Sequence, residues 1–494
     1  MSDEQRKKRN LWMFPLGTVG RDMVYCLFAN FLLTYIIFTR TPTNAQLFAI
    51  TAIMVCARVF DALNDPIMGN IIERTRTKWG KYKPWQAIGI VSTAVVIYLT
   101  FNSKLEGWSF VVFFGVMYFC YSITYTMHDI AYWGMVPSLG SDADARNMFT
   151  SRATLFAGVG STLASILSPM FTAGSSAIGG SAATAYGVIA LVIGVISILF
   201  MCFTIFGARE YRTYEKEPAP RVSVKKIVST IMGNDQLRWI ALIFLIQQVG
   251  NGLVLGGLGS SLVYFEFGYR GGLYSTFSTV GVAATAFLMI FYPAISRKMH
   301  RKRLLTVMMA VAVAGYALML VFGLMSGDGM LRFWGLTIGY MLSNLGQYSF
   351  YLVGMISINN TVEYNEYKQG TRDEAIIASL RPFLTKMASA VIAALTSLTY
   401  VIFGVTAYTN QISEFEQNAS RGLITEAEKL AGIDAVIAAT GRGQTVGLLL
   451  CITILPCILM FVAYLLYQKK YTLDEEEYER ICEELAVKET ENAK

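Results

Sequence analysis

Three ionisable side chains, Arg58, Asp61 and Asp65 in the run ARVFDALNDPIMG, stand three and four residues apart and therefore share one face of any helix that carries them. Asn64 lies beside them. Two carboxylates, an amide oxygen and a nearby hydroxyl make a ligand set for a small hard cation, which prefers oxygen and gains most from negative charge. Coupling to a proton would need only one carboxylate with a raised pKa, so the surplus of neutral oxygens favours sodium. The competing reading is an internal Arg58–carboxylate pair that holds helices together, which leaves the second acid unexplained. In TYTMHDIAYWG, the residues Thr126, Asp129 and Trp133 again fall three and four apart. A carboxylate accepts hydrogen bonds from sugar hydroxyls, and an indole offers a flat apolar surface to the C–H face of a sugar ring. This face reads as a sugar platform, while His128 points about 100° away and reads as a core contact. Arg21, Asp22, Arg152 and Lys386 also interrupt or open apolar runs, each at a cost that invites a role.

The elements that must position these groups are membrane helices. Of the 494 residues, 54% are hydrophobic and only 15% charged, with a mean hydropathy of +0.46, which is too apolar for a soluble chain of this length. The net charge of +7 sits in short clusters between apolar runs, so membrane topology explains it better than nucleic-acid binding. The seven cysteines (Cys26, Cys56, Cys120, Cys202, Cys451, Cys457 and Cys482) form neither a disulfide framework nor a zinc spacing. The basic start MSDEQRKKRN runs into a hydrophobic stretch too long for a signal-peptide core and reads as a cytoplasmic lead into a first span. No nucleophile, metal or phosphate-loop motif has supporting context, so neither an enzyme nor a resident cofactor is expected.

Apolar runs long enough to cross about 30 Å of hydrocarbon fall near 11–38, 45–73, 85–102, 108–136, 149–173 and 182–206, and again near 238–264, 272–296, 304–325, 331–359, 375–404 and 445–467. This predicts an all-α polytopic protein: a six-helix bundle over 1–206, a linker over 207–237, a second six-helix bundle over 238–467 and a tail over 468–494. Basic segments alternate with weakly charged ones: the N-terminus, RTRTKWGKYK at 74–83, the linker and RKMHRKR at 297–303. Lys and Arg are retained on the cytoplasmic side, which predicts both termini in the cytoplasm. The long external segment 405–444 contains a helix-like run, ITEAEKLAGIDAVIAAT, expected to be a short surface helix rather than a substrate lid.

The runs FDALNDPIMGNIIERTRTKWGKYKPW, TYTMHDIAYWG and NNTVEYNEYKQGTRDEA closely resemble the glycoside-pentoside-hexuronide:cation symporters, the melibiose permease-like group, over about residues 12–404 and through a last span. The resemblance implies a major facilitator fold of 12 transmembrane helices in two bundles. It also implies symport of a sugar or glycoside with Na+, H+ or Li+ across the cytoplasmic (inner) membrane by a functional monomer. By the same resemblance the cation site is Asp61, Asn64, Asp65 and Thr126, with Lys386 near it in a coupling role. The sugar site is Arg21, Asp22, Asp129, Trp133 and Arg152, joined by Tyr351 where a tryptophan is expected, and Glu363, Glu366 and Arg372 form a cytoplasmic gate. Arg21 and Ala131 also depart from the pattern, standing where lysine and proline are expected. Other readings keep the fold but change the cargo to a lysolipid or other amphiphile, or make the chain a membrane sensor without transport. The polar and charged residues of the proposed sugar face favour a polyol.

Overall fold

A computed structural model describes residues 3–140, 143–210, 224–296, 298–327 and 329–492, and among these the regular structure is helical apart from one isolated bridge between Thr77 and Gly80. The helices are α1 (Asp3–Thr39), α2 (Asn44–Arg74), α3 (Lys83–Phe101), α4 (Gly107–Gly134), α5 (Ala143–Thr172), α6 (Ala182–Cys202), α7 (Val224–Gly233), α8 (Asp235–Gly252), α9 (Gly259–Phe267), α10 (Gly271–Ser296), α11 (Arg301–Leu324), α12 (Met330–Gln369), α13 (Glu374–Ile402), α14 (Val405–Ser420), α15 (Glu426–Ala438), α16 (Arg442–Lys470) and α17 (Glu475–Asn492). Eleven helical stretches are long and apolar enough to span a bilayer. The expected tenth span, α12, is not among them, because a row of buried polar side chains (Ser343, Asn344, Gln347, Ser349 and Ser357) lowers its hydropathy. With α12 the described residues hold the twelve spans that the sequence suggests.

Helix ends follow local chemistry. Thr43 caps α2, accepting from the Gln46 N–H while the Gln46 side chain returns to the Thr43 N–H, a reciprocal capping box. Gly370, at φ +69°, closes α12 in a left-handed conformation that favours glycine. The seventh span, expected as one helix, is interrupted at a five-residue π turn over 254–258, where Gly257 adopts φ +116°, a conformation open mainly to glycine.

The chain forms two compact units. The first comprises residues 1–219, 263–276 and 396–444, and the second 220–262, 277–395 and 445–494. In the first unit, α1 packs against α5 and α6. A Cβ at Gly160 would lie 2.1 Å from the Val19 carbonyl oxygen, and one at Gly20 would lie 2.3 Å from Ser197 Cα. Small residues thus let three helix backbones meet closely and fix α1 just where it carries Arg21 and Asp22. Phe28 of α1 stacks on Tyr121 of α4 at 3.5 Å between centroids, which sets α4 against the same stretch.

The segment 405–444 is more ordered than its sequence suggests. It holds two helices, α14 and α15, and α14 is docked on the end of α1: Ser413 donates to the Ile37 carbonyl, Gln417 to Thr39 and Asn410 to Pro42. The expected surface helix is α15, capped by Thr425 and Glu428, yet it buries Lys429 completely. In the second unit α8 and α11 pack on α12, and the tail expected at 468–494 carries the helix α17. The linker residues 211–223 lie outside the described residues.

Candidate functional site

The predicted face of α2 meets α4. Asp61 lies 3.3 Å from Arg58 on its own helix, with both side chains more than nine-tenths buried. Its other carboxylate oxygen accepts a hydrogen bond from Ser122 of α4. One turn on, Asp65 Oδ1 accepts from Thr126 Oγ1 at 3.0 Å. Asn64 is buried between them in sequence, and its amide nitrogen has no hydrogen-bond partner among the described residues. Pro66 adds a further oxygen: lacking an N–H, it cannot cap the Ala62 carbonyl in the turn that carries both aspartates. The group therefore sets two carboxylates and one guanidinium among hydroxyl, amide and carbonyl oxygens. That donor set fits a single monovalent cation. Arg58 also lies over the Tyr118 ring at 5.8 Å, which supports a delocalised cation better than it would an ammonium.

A second charged group lies between α1 and α4. Arg21 forks onto Asp22 Oδ2 through Nε (2.9 Å) and Nη2 (2.7 Å), and reaches Asp129 Oδ1 through Nη1 at 2.9 Å. Its guanidinium lies 5.0 Å from the Trp133 ring and 5.1 Å from Tyr132. Arg21 itself is buried, whereas Asp129 is one-third exposed. The structure thus brings together Arg21, Asp22, Asp129 and Trp133. Arg152, on α5, meets α1 elsewhere: it donates to the Leu11 carbonyl at 3.4 Å and lies 5.3 Å from the Trp12 ring, and Leu11 is ten residues, or about 15 Å of helix rise, from Arg21. His128 is fully buried, 4.7 Å from the Tyr125 ring and against Gly89.

The remaining predicted residues belong to the second unit. Tyr351 of α12 packs on Phe244 at 5.7 Å and accepts a hydrogen bond from Arg381 of α13 at 3.4 Å. Lys386 lies half-buried on α13. At the end of α12, Arg372 bridges Glu363 (2.9 Å) and Glu366 (3.1 Å), with Glu374 at 3.8 Å, so the three gate residues form one ion cluster.

Sequence reasoning missed Ser122, whose signal was available: it stands four residues before Thr126, on the same face of α4. It also missed Arg381, one turn from Lys386 on an apolar-patterned helix. The pair Glu416 and Lys429 gave no usable signal, because Glu416 sits in the external segment and Lys429 in the run expected as a surface helix, where a charge is ordinary. They lie 3.7 Å apart with neither exposed. Glu416 accepts from the Ala182 N–H at 2.6 Å, and Lys429 donates to the Gly180 carbonyl at 2.8 Å. Burial pushes the Glu416 carboxyl up to about 7, a rise that Lys429 and the Ala182 N–H limit.

A family model described as MFS/sugar transport protein matches residues 13–475. The chain is 29% identical over 400 residues to a protein named lactose permease from Leuconostoc lactis, an alignment covering 76% of this chain and 60% of that protein. It is 25% identical over 492 residues to a raffinose carrier protein from Pediococcus pentosaceus, covering 96% of this chain and 70% of that protein. The chain thus spans less than two-thirds of the Leuconostoc relative. Among solved structures, a bacterial homologue of the human lysosomal transporter Spinster aligns over 95% of this chain and 98% of that one, with a TM-score of 0.61 at 9% identity, which establishes likeness of fold.

Proposed function

Because the chain belongs to the MFS/sugar transport protein family, with the major facilitator fold and the sequence character of a glycoside-pentoside-hexuronide:cation symporter, we propose that it carries a sugar or glycoside across the cytoplasmic membrane together with one monovalent cation, by alternating access. Sodium is the favoured cation, ahead of Li+ or H+, both termini face the cytoplasm, and the monomer is the working unit. Relatives named for lactose and raffinose support a sugar as cargo.

The observation that carries this reading is the pair of acids on α2 held by α4: two carboxylates and one guanidinium within two turns of α2, and two hydroxyls within about one turn of α4. A cation bound there offsets carboxylate charge, which lowers the cost of moving the group through a changing environment. The sugar group shares α4. Thr126, which donates to Asp65, stands one turn before Asp129, which accepts from Arg21. A cation that draws in Asp65 and Thr126 therefore fixes the turn that presents Asp129 and Trp133. The Arg21 fork holds Asp22 and Asp129 in place to accept hydrogen bonds from sugar hydroxyls, and Trp133 supplies the apolar ring.

Coupling of this kind is reciprocal: the factor by which cation tightens sugar binding equals the factor by which sugar tightens cation binding. Titrating galactosides and glucosides with and without sodium, lithium and a pH change tests it. The expected result is a sugar affinity raised several-fold by one of these cations. Equal affinity under all conditions would remove the coupled mechanism.

A further inference from the structure

The first unit carries a cavity of about 870 Å³ at the basic end of α2, lined by Arg76, Lys78, Trp79, Lys83, Phe206 and Arg209, with Glu210 and the turn over 77–80 completing it. Four cationic side chains face one carboxylate. Among the described residues none of the four lies in an ion pair: Arg76 donates to the Glu73 and Thr75 carbonyls, and Lys83 to the Ala208 carbonyl. The turn that presents Lys78 and Trp79 is locked. Gly80 sits at φ +101°, and the Thr77 hydroxyl donates to the Gly80 carbonyl and accepts from the Trp79 N–H. Beside this cavity, and sharing Phe206 with it, runs an open apolar groove of about 740 Å³ along the end of α6, lined by Met13, Leu199, Phe200, Phe203 and Phe206.

Each recess alone has an ordinary explanation, the first as a solvated basic loop and the second as a lipid-facing helix surface. Their junction does not. Leu199, Phe203 and Phe206 are exposed on a helix that belongs within a membrane, so the groove is covered by acyl chains. Trp79 and Phe206, both about 60% exposed and with rings 6.4 Å apart, stand between the groove and the cationic cavity, where amphipathic rings mark the level of the lipid headgroups. A basic pocket at that level faces phosphate, and its Lys and Arg stems lie along apolar surface with their charges outward. The single carboxylate of Glu210 leaves the cavity with a moderate positive charge, suited to one phosphodiester.

We propose that the two recesses form one binding site for an anionic phospholipid, with its phosphate held by Arg76, Lys78, Lys83 and Arg209 and one acyl chain lying along Met13, Leu199, Phe203 and Phe206.

Trp79 is the reporter. Its fluorescence is isolated as the difference between the full-length protein and Trp79→Phe, reconstituted in bilayers with brominated phosphatidylglycerol or brominated phosphatidylcholine. The expected result is quenching of Trp79 at a lower mole fraction of the anionic lipid. Lys78→Gln and Arg209→Gln should each weaken that preference roughly fivefold, from about 1 kcal/mol per surface cation, while Lys78→Arg keeps it. Raising ionic strength weakens it in the unaltered protein. Equal quenching by the two lipids would overturn the proposal, as would a preference untouched by both Gln substitutions. If inorganic phosphate displaces the brominated lipid, the site takes a soluble anion and the lipid assignment is wrong. A Trp79 already shielded in lipid-free detergent and unchanged by either lipid would show the pocket filled by the chain itself, with the same consequence.

Discussion

Two buried ion pairs in the first unit contrast sharply. Glu416 and Lys429 pair one acid with one base, neither exposed, with the Ala182 N–H and the Gly180 carbonyl among their further partners. Arg58 and Asp61 are nearly as buried, but a second acid, Asp65, stands one turn on, and hydroxyls from α4 reach both carboxylates. The first arrangement is neutral as built and holds α14 and α15 against the start of α6. The second gathers two acids with hydroxyls from a neighbouring helix, the donor set proposed above for a mobile cation. Buried charge as such therefore says little about function, since ion pairs also serve packing; two buried acids gathered with hydroxyl and amide oxygens say more.

The sharpest way to break this contrast is Asp61→Asn. It removes the acid both from the cation group and from Arg58, leaving a buried guanidinium without its carboxylate, a change that costs about 3–5 kcal/mol where such pairs are severed. Cation stimulation of sugar binding should vanish, and thermal unfolding should show the lost stability. Asp65→Asn should also abolish the stimulation but cost less stability, because Arg58 and Asp61 keep each other. If Asp61→Asn still responds to sodium, the two pairs are of one structural kind.

Lys429→Met tests the other side. Sugar binding should keep its cation dependence while the fold weakens, by up to about 3–5 kcal/mol at pH 8, since Glu416 then carries an unpaired buried charge. The sign of the pH effect follows from the raised pKa. Glu416 binds its proton up to about pH 7 in the folded protein but only to about 4.5 when free of it. Between those values the folded state holds more protons, so this group's contribution to stability is full below about pH 4.5, declines as pH rises and is lost above about 7. Melting temperatures across pH 5 to 8 should fall in the unaltered protein, fall further in Lys429→Met, and lose this slope in Glu416→Gln. A slope that persists in Glu416→Gln would assign it to another group.

The same contrast explains what could be read from the sequence. Asp61 and Asp65 were legible because each interrupts an apolar run at helical spacing, where charge is rare and conspicuous. The spans were legible for the same reason, and α12 kept its apolar backbone pattern well enough despite its buried amides. Glu416 and Lys429 were not legible, because a charge in a polar segment carries no signal until the fold buries it. The helix α14 escaped for a related reason: its docking rests on Ser413, Asn410 and Gln417 reaching backbone carbonyls of α1, contacts with no periodic signature. The break at Gly257 depends on a single positive φ within a glycine-rich apolar stretch. Whether Arg152 joins Arg21 was likewise not a matter of composition, since both are arginines within apolar runs, and only packing separates their partners.

Ser122 offers the finest test, because it separates the acid from its support. Its hydroxyl donates to Asp61, so Ser122→Ala leaves both carboxylates and Arg58 in place and removes one neutral oxygen. If the cation group works by its two acids, with the hydroxyls only orienting them, the substitution should weaken sodium affinity by roughly 5- to 10-fold, the equivalent of one hydrogen bond at about 1 kcal/mol or slightly more. Sugar affinity measured without cation should stay unchanged, because the Arg21–Asp22–Asp129 fork is untouched. A loss as complete as that in Asp61→Asn would make the hydroxyl a ligand equal to the carboxylate, and the two acids would no longer be the main source of binding. No loss at all would place the cation nearer Asp65 and Thr126, where Thr126→Ala should then carry the effect instead.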